Sequence, residues 1–294
     1  MNKSKKLYFN ISFLIAVIST CLFFNKSAFG EFMILNNNDA KIYYEIHGKG
    51  KPLVLIAGLA SDSQSWITIL PELSKHFKVI IFDNRTTGRT KSNEKNLTID
   101  MMGDDAANLI KYLKLENVSV LGHSMGGIIA VDAASKNPDL IKNLIIAASP
   151  YEVGEKIKEM FSDMAIYQKN GMDQSLWFKN FFYWILTDSF FENKELLRQG
   201  IEYNVNYPYP QTMEGFQKQV NAMNSCNGKE KIKKIRQKTL VIAAEKDKLF
   251  SVDQCRELAD KIENSKFKII KNAAHSIHSE MPSELAKEVL LFLN

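Results

Sequence analysis

Short, continuous apolar runs recur along the chain, and each has the length of one β-strand. The first reads Leu-Val-Leu-Ile-Ala at residues 53–57. An apolar run of this length that does not alternate with polar residues is typical of a strand buried on both faces of a sheet. Similar runs lie at 79–82, 118–121, 144–148, 240–244 and 267–270. The recurrence predicts a central sheet that is covered on both faces.

Helical segments fall between these runs. Apolar side chains recur at helical spacing over 98–113 and 282–293, and Asn137 and Pro138 close a third helix that begins near Ser124. Strands that alternate with helices need crossover connections, which join strands in parallel. The pattern therefore predicts the α/β fold class, with a mostly parallel sheet flanked by helices.

The alternation stops between Pro150 and Gly228. This stretch has a helical pattern and holds 15 of the 31 aromatic residues of the chain in about a quarter of its length. Aromatic side chains at helical spacing usually pack in a core, but a small group of helices cannot bury so many of them internally. We predict that 151–228 is a helical insertion in one core domain, formed by 31–150 and 229–294, and that some of its aromatic residues face a cleft.

The net charge of +5 is concentrated at the N-terminus. The chain has 38 Lys and Arg against 33 Asp and Glu, but residues 1–30 hold four lysines and no acid, so 34 basic and 33 acidic groups remain beyond them. Three of those lysines precede an apolar stretch at 11–24, which is too short to span a bilayer as a helix. We predict an export signal, residues 1–30, cleaved after Gly30, and a periplasmic or secreted protein. An uncleaved membrane anchor and a lipoprotein signal ending at Cys21 are the alternatives.

The rest of the composition is that of an ordinary globular protein, with 45% hydrophobic and 24% charged residues over the whole chain. A nearly neutral body offers no clustered basic surface, so nucleic acid is not predicted as a partner. Cys226 and Cys255 remain beyond the signal, and the sequence leaves a disulfide and two free thiols equally open. No Cys/His group has the spacing of a zinc site, and neither a metal nor a cofactor is predicted.

The strongest chemical signal is the run Gly-His-Ser-Met-Gly-Gly at residues 122–127. It follows the apolar run at 118–121 and opens the third predicted helix. A nucleophile on such a sharp turn from strand to helix requires very small residues two positions before and two positions after it. Gly122 and Gly126 meet that need. A serine hydroxyl is a weak nucleophile that needs a base, and the base needs an acid to orient it. Ser124 is therefore the candidate nucleophile.

From about Lys41 to Asn294 the chain resembles the α/β-hydrolase fold superfamily, in particular the serine esterases and related hydrolases that carry a helical cap. That family has its catalytic residues in the order serine, acid, histidine. The resemblance implies Asp247 as the acid, because it lies just past the apolar run at 240–244. Glu245 is its nearby competitor.

The same resemblance implies His275 as the base. Small residues precede it, and Glu-Met-Pro at 280–282 follows it, as in the family. His278 is the alternative base. His123 stands beside the nucleophile in sequence, and we expect its side chain to pack against the helix or the sheet.

Two backbone donors to the developing oxyanion are implied as well. One is the N–H of Met125, directly after the nucleophile, and the other is the N–H of Leu59, in the loop after the first buried run. This chain has Ala57 in that loop where the family commonly has histidine. Asp83 and Arg85 lie in a turn that resembles a family motif, and we expect them to brace the loops around the site.

These residues predict a serine hydrolase that cleaves carboxylic esters through an acyl-enzyme on Ser124. The resemblance makes the aromatic insertion a cap over the serine, which favours small or medium substrates with apolar acyl or aromatic groups. Thioesterase, lactonase, carbon–carbon bond hydrolase and acyltransferase activities use the same triad and stay open. A non-catalytic ligand-binding protein of the same fold is the alternative from another class.

Overall fold

The computed structural model describes residues 31–34 and 40–294. The predicted signal segment, residues 1–30, lies outside the described residues, so export and localisation stay predictions. Nine strands within the described chain form one sheet: β1 (Glu31–Ile34), β2 (Ala40–His47), β3 (Lys51–Ile56), β4 (Phe77–Phe82), β5 (Lys91–Ser92), β6 (Val118–His123), β7 (Ile141–Ala147), β8 (Lys238–Ala244) and β9 (Ser265–Ile270).

The sheet is mostly parallel. Its order is β1-β2-β4-β3-β6-β7-β8-β9, and the short strand β5 pairs with β2. Every neighbouring pair from β4 to β9 is parallel, whereas the pairs that include β2 are antiparallel. The prediction of an α/β fold with a mostly parallel sheet is therefore confirmed.

The predicted apolar run at 267–270 differs from the other five. It belongs to β9, the last strand of the sheet, which pairs only with β8. Of the residues in β9 only Ile270 is buried, and Ile269 is 41% exposed. The prediction that this run is buried on both faces is wrong, because an edge strand has no neighbour beyond it. Lys268 in the same strand is of the kind that protects a sheet edge from further pairing.

Helices cover both faces of the sheet. Successive side chains of a strand point to opposite faces, so Val54 and Ile56 of β3 join one hydrophobic cluster while Leu53 and Leu55 join another. The helices are α1 (Leu70–Leu73), α2 (Ile99–Tyr112), α3 (Met125–Lys136), α4 (Glu155–Lys169), α5 (Gln174–Ile185), α6 (Asp188–Glu192), α7 (Lys194–Val205), α8 (Met213–Asn224), α9 (Lys229–Ile232), α10 (Val252–Asp260), α11 (Ile277–Glu280) and α12 (Pro282–Leu293).

The two clusters assign the helices to the two faces. Helices α2, α3 and α10 pack in the cluster that contains Val54, whereas α1 and α12 pack in the cluster that contains Leu53. None of the helices in the described residues combines the length and the apolar character needed to cross a membrane.

Helices α4 to α8 lie between β7 and β8 in the sequence and interrupt the alternation of strands and helices. Phe161, Trp177 and Phe216 from these inserted helices pack in the same hydrophobic cluster as Leu59 and Met125. The inserted helices therefore lie against the loops that carry the candidate site. A separate small cluster of α5, α7 and the residue after α5 contains Phe182, Leu186 and Leu197.

Candidate active site

Ser124 stands at the sharp turn between β6 and α3. Its backbone has φ 56° and ψ −125°, a left-handed φ that non-glycine residues rarely adopt. A Cβ at Gly122 would lie 2.2 Å from the Gly126 carbonyl oxygen, and one at Gly126 would lie 2.1 Å from the Ile56 carbonyl oxygen. Both glycines are therefore required by close backbone approach, which holds the serine at the end of the sheet.

The structure brings Ser124, His275 and Asp247 together in one chain of hydrogen bonds. His275 Nε2 lies 2.9 Å from Ser124 Oγ, and His275 Nδ1 lies 2.8 Å from Asp247 Oδ2. The three side chains come from loops that follow β6, β8 and β9, all at the carboxyl edge of the parallel sheet. Because Nδ1 faces a carboxylate, it carries the proton, and Nε2 is left to accept from the serine hydroxyl.

The Asp247 carboxylate is fixed from its other side as well. Its Oδ1 accepts hydrogen bonds from the backbone N–H groups of Leu249, at 2.8 Å, and Phe250, at 3.1 Å. The Phe250 ring packs edge-on against His275 with centroids 5.5 Å apart. Glu245, the competing acid, is exposed and accepts from the backbone N–H of Asn272, so it takes no part in this chain.

A layer of buried rings supports His275 from behind. His123 Nε2–H donates to the carbonyl oxygen of His275 at 2.8 Å, and the two rings are 4.8 Å apart. His278 lies 4.5 Å from His123 and 5.2 Å from Trp66, centroid to centroid. His278 is thus part of this layer, and it is His275 that accepts the hydrogen bond from the Ser124 hydroxyl. Sequence analysis missed the link from His123 to His275, because no local pattern announces a contact across 152 residues.

Burial keeps both supporting histidines neutral. It is the largest cause lowering the pKa of His278 to about 3 and the pKa of His123 well below its ordinary value, and neighbouring histidines lower both further. Neutral rings add no positive charge beside His275 at the start of a reaction.

This burial predicts a pH-dependent stability. Below about pH 6.5 the unfolded chain protonates these histidines while the folded chain does not, so stability is full above that pH and falls as pH is lowered. Each ring should contribute a slope of about 1.4 kcal/mol per pH unit. Urea unfolding of wild type and His278→Phe at pH 7.5, 6.5, 5.5 and 4.5 measures it. The variant should lose one such slope between pH 6.5 and 4.5, and equal slopes would contradict the assignment.

The two predicted oxyanion donors lie in segments next to the nucleophile. Met125 is the first residue of α3, and the Leu59 loop lies against Ser124, since a Cβ at Gly58 would be 3.0 Å from the Ser124 Cβ. Within residues 31–34 and 40–294 neither N–H has a hydrogen-bond acceptor. Both predicted donors are therefore free to bind an oxyanion.

The loop with Leu59 is held by side chains that sequence analysis did not identify. Asn84 Nδ2 donates to the Ala57 carbonyl oxygen at 3.0 Å, and the N–H of Ala60 donates to Gln219 Oε1 at 3.4 Å. Gln219 is fully buried on α8 and also donates to the carbonyl oxygen of Arg85. One glutamine from the inserted helices therefore connects two loops of the core.

Asp83 and Arg85, which were predicted to brace the loops around the site, bind different partners. Arg85 binds Asp105 through Nε, at 2.7 Å, and through Nη2, at 2.9 Å. Asp83 accepts from the N–H of Ser63 and from both the backbone and the guanidinium of Arg89. The two side chains thus tie the turn to α2 and to the segment after the Leu59 loop.

A second set of hydrogen bonds joins the inserted helices to the loop that carries His275. One oxygen of Glu280 accepts from the N–H and hydroxyl of Thr187, and the other accepts from the N–H of Ala274. The N–H of Ser276, next to His275, donates to the Ile185 carbonyl oxygen at the end of α5. The inserted segment therefore contacts the loops of both the base and the oxyanion donor.

A cavity of about 240 Å³ lies between the inserted helices and the loop that follows Leu59. Ala60 and Asp62 form part of its core side, and Trp177 and Phe178 of the predicted aromatic insertion line the other side. The Asp62 carboxylate accepts from the Tyr207 hydroxyl at 2.6 Å. Burial, and then the nearby Asp83 carboxylate, raise the pKa of Asp62 to about 6, so the group is mainly an anion at neutral pH.

Both cysteines of the described residues, Cys226 and Cys255, are free thiols. Cys226 is half-buried, and Cys255 is buried with its thiol directed at the Ser149 carbonyl oxygen, 3.7 Å away. Burial raises the pKa of Cys255 to about 12. The two thiols resolve the choice that the sequence left open. Among the described residues no group of three or more His, Cys, Asp or Glu side chains is arranged to hold a metal ion.

Known proteins resemble this chain over most of its length. A sequence profile described as alpha/beta hydrolase fold matches residues 51–282. A protein of Caulobacter sp. (strain K31) with the name "Putative carbamate hydrolase RutD" is 26% identical over 259 residues, which are 86% of this chain and 96% of that protein. The 2-hydroxy-6-oxo-6-(2'-aminophenyl)hexa-2,4-dienoic acid hydrolase of Metapseudomonas resinovorans is 24% identical and covers 92% of this chain and 93% of its own length.

Solved structures share the fold. The enol-lactonase from Burkholderia xenovorans LB400 superposes with a TM-score of 0.79 at 23% identity, and the match covers 89% of this chain and 99% of the enol-lactonase. The profile matches well over half of the chain. The two relatives, both named as hydrolases, are matched over nearly their whole length. The chain therefore belongs to the alpha/beta hydrolase fold family.

Proposed function

We propose that the protein is a serine hydrolase that cleaves carboxylic esters through an acyl-enzyme on Ser124. The observation that carries the proposal is the continuous hydrogen-bonded chain from Ser124 through His275 to Asp247. It stands beside two backbone N–H groups, of Leu59 and Met125, that have no acceptor in the described part of the chain. A nucleophile, a base, an orienting acid and oxyanion donors are the complete set that acyl transfer needs.

The first half of the reaction forms the acyl-enzyme. His275 Nε2 takes the Ser124 hydroxyl proton while Oγ forms a bond to the ester carbonyl carbon, and the carbonyl oxygen becomes an oxyanion. The N–H groups of Leu59 and Met125 stabilise that charge, and Asp247 stabilises the imidazolium. When the oxyanion collapses, the bond to the alcohol oxygen breaks and His275 donates its proton to the departing alcohol.

Water completes the cycle. His275 takes a proton from a water molecule, whose oxygen attacks the acyl carbon, and the second oxyanion uses the same two donors. Its collapse breaks the bond to Ser124 Oγ, returns the proton to the serine and releases the acid. The buried setting of Ser124 and His275, which are 6% and 4% exposed, makes each of these charge interactions stronger than it would be in bulk water.

We also propose that residues 151–228 act as the cap. The supporting contacts are Gln219 with Ala60, Tyr207 with Asp62, and Thr187 with Glu280. These contacts support a cap over the loops that carry the site, where it would limit the entry of water and the shape of the substrate.

Esterase, lactonase, carbon–carbon bond hydrolase and amide-bond cleavage all use this constellation. The names of the relatives include a carbamate hydrolase, a hexadienoic acid hydrolase and an enol-lactonase. We favour simple esters. Two of those names describe an acid or a cyclic substrate, and no cationic side chain of the described residues lines the cavity next to the oxyanion loop to bind the carboxylate of an acid.

A substrate panel tests the proposal. We expect p-nitrophenyl acetate and butyrate to be cleaved with a kcat/KM at least 10-fold above that for an enol-lactone, a thioester or a vinylogous keto acid. A fluorophosphonate probe should label Ser124 in the same protein. A folded protein that the probe does not label and that cleaves none of the panel would be the non-catalytic ligand-binding alternative, and cleavage of only the keto acid would replace esterase with carbon–carbon bond hydrolase.

A further inference from the structure

The cavity beside the oxyanion loop has an unusual number of polar side chains for a pocket that an aromatic insertion covers. Its lining includes Ala60, directly after the predicted oxyanion donor Leu59, whereas Ser124 and His275 are not among the lining residues. Five carboxamide side chains line it: Gln64, Gln168, Gln174, Asn204 and Gln211. Three tyrosines, Tyr203, Tyr207 and Tyr209, add hydroxyl groups.

Two of these amides have acceptor atoms without donors. Gln168 Oε1 and Gln211 Oε1 are buried, and neither has a hydrogen-bond partner among the described residues. The Gln211 amide is held in place by its other end, since Nε2 donates to Gln219 Oε1 at 3.0 Å. A buried acceptor that lacks a donor is unfavourable, so both oxygens favour a ligand that brings O–H or N–H groups.

The cavity has an anionic side chain and no cationic one. Asp62 is the only charged residue in the described lining, which contains no Lys, Arg or His. The guanidinium of Arg89 lies outside the lining: its Nε binds Asp83, and its Cζ lies 4.9 Å from the centre of the ring of Tyr209, which lines the cavity. A carboxylate in this cavity would therefore be desolvated beside Asp62 with no cationic side chain of the described lining to bind it.

One wall is apolar and is formed by aromatic rings. Trp177 packs edge-on against Phe178 and Phe216, with centroids 5.1 Å and 5.3 Å apart, and all three residues line the cavity. The indole N–H is already donated to the Met164 carbonyl oxygen, so Trp177 offers the cavity apolar surface only. A ligand that fits both walls has donors on one side and C–H groups on the other.

We propose that this cavity selects the uncharged, hydroxyl-rich part of the substrate, as in an ester of a polyol or sugar, and rejects esters that carry a carboxylate. The proposal rests on the proposed ester hydrolysis. It goes beyond it by naming the chemistry of the group that binds next to the oxyanion loop.

Matched esters test the selection. On the alcohol side the series is 1-butyrylglycerol, ethyl butyrate and the butyryl ester of glycolate, and on the acyl side it is ethyl 3,4-dihydroxybutyrate, ethyl butyrate and monoethyl succinate. In at least one series we expect kcat/KM to be 10-fold higher for the diol than for the carboxylate, with ethyl butyrate between them. Cleavage of ethyl butyrate without that order in either series overturns the selection alone, whereas no cleavage of any ester overturns the proposed function.

Two variants and one control locate the effect. Gln168→Leu removes the unpaired oxygen and should lower the ratio of kcat/KM for the diol to that for ethyl butyrate at least 5-fold. Asp62→Asn keeps an oxygen for the Gln64 N–H and removes the charge, so the carboxylate ester should improve at least 5-fold relative to ethyl butyrate. Gln199→Leu is the control, because Gln199 is a half-buried glutamine outside the cavity that donates to Glu195.

The control should leave both ratios as in wild type. Folding of each variant is checked by its thermal unfolding temperature. Equal ratios in all three variants, with the proteins folded, would show that the cavity does not select the substrate.

Discussion

Replacing Ser124 with alanine is expected to lower kcat/KM for p-nitrophenyl butyrate by at least about 10³-fold, and by up to about 10⁶-fold. The change removes the oxygen atom that would form the acyl-enzyme, and His275 Nε2 loses the hydroxyl group from which it accepts a hydrogen bond. The oxyanion donors remain, so a small residual rate above water is expected. Steady-state kinetics on purified protein measures the loss, and labelling by a fluorophosphonate probe should disappear with it.

A second buried serine provides the control. Ser119 lies on β6, the strand that leads to Ser124, is 6% exposed and accepts a hydrogen bond from Asn143. Ser119→Ala should keep its activity within about 3-fold of wild type and lose only the roughly 1 kcal/mol of one hydrogen bond. Ser124→Ala should unfold at nearly the wild-type temperature. If it retains most of the esterase activity while folded, Ser124 is not the nucleophile.

The features that sequence predicted share one property: their signals are local or ordered along the chain. Unbroken apolar runs identify buried strands without knowledge of their neighbours, and five of six were placed correctly. The glycines around Ser124 are required by the turn itself, where added Cβ atoms would come within 2.2 Å of backbone oxygens. Asp247 and His275 were implied by the family resemblance, through the order of serine, acid and histidine along the chain and their positions after strands.

The features that sequence missed depend on partners far away in the chain. Gln219 contacts Ala60 across 159 residues, and His123 contacts the His275 carbonyl across 152 residues. Neither residue lies in a local motif that would distinguish a buried side chain linking two loops from an ordinary side chain of a helix or strand. The burial of β9, though not the strand itself, was mispredicted for the same reason, because its exposure depends on its place at the end of the strand order.

The cavity shows how tertiary structure modified a correct compositional prediction. The insertion is aromatic, as the sequence indicates, and Trp177 and Phe178 do reach the cavity. The opposite lining comes from the core loop at Asp62 and from amides such as Gln168. The aromatic content of the insertion gives no indication of these polar side chains. The expected preference for apolar acyl or aromatic groups stays a prediction, and the cavity adds a polar wall opposite its apolar one.

The assignment of the base to His275 predicts a large difference between the two histidines of its loop. His275→Ala should lower the rate of acyl-enzyme formation by at least about 10³-fold, because it removes the only imidazole bonded to both Ser124 and Asp247. His278→Phe should lower that rate by less than about 10-fold, because His278 only packs against Trp66 and His123 behind the base. The burst of p-nitrophenol in single-turnover kinetics measures acylation separately from water attack.

Phenylalanine is the chosen replacement at His278, since it keeps a planar ring in the layer and so avoids the cavity that alanine would leave. It also removes an imidazole Nδ1 that is buried without a partner in the described chain, so the variant should be at least as stable as wild type at pH 5. Thermal unfolding at pH 5 and pH 7.5 checks this before the kinetics are interpreted. If folded His278→Phe loses acylation as completely as His275→Ala, then the ring behind His275 takes part in proton transfer, and the base cannot be assigned to His275 alone.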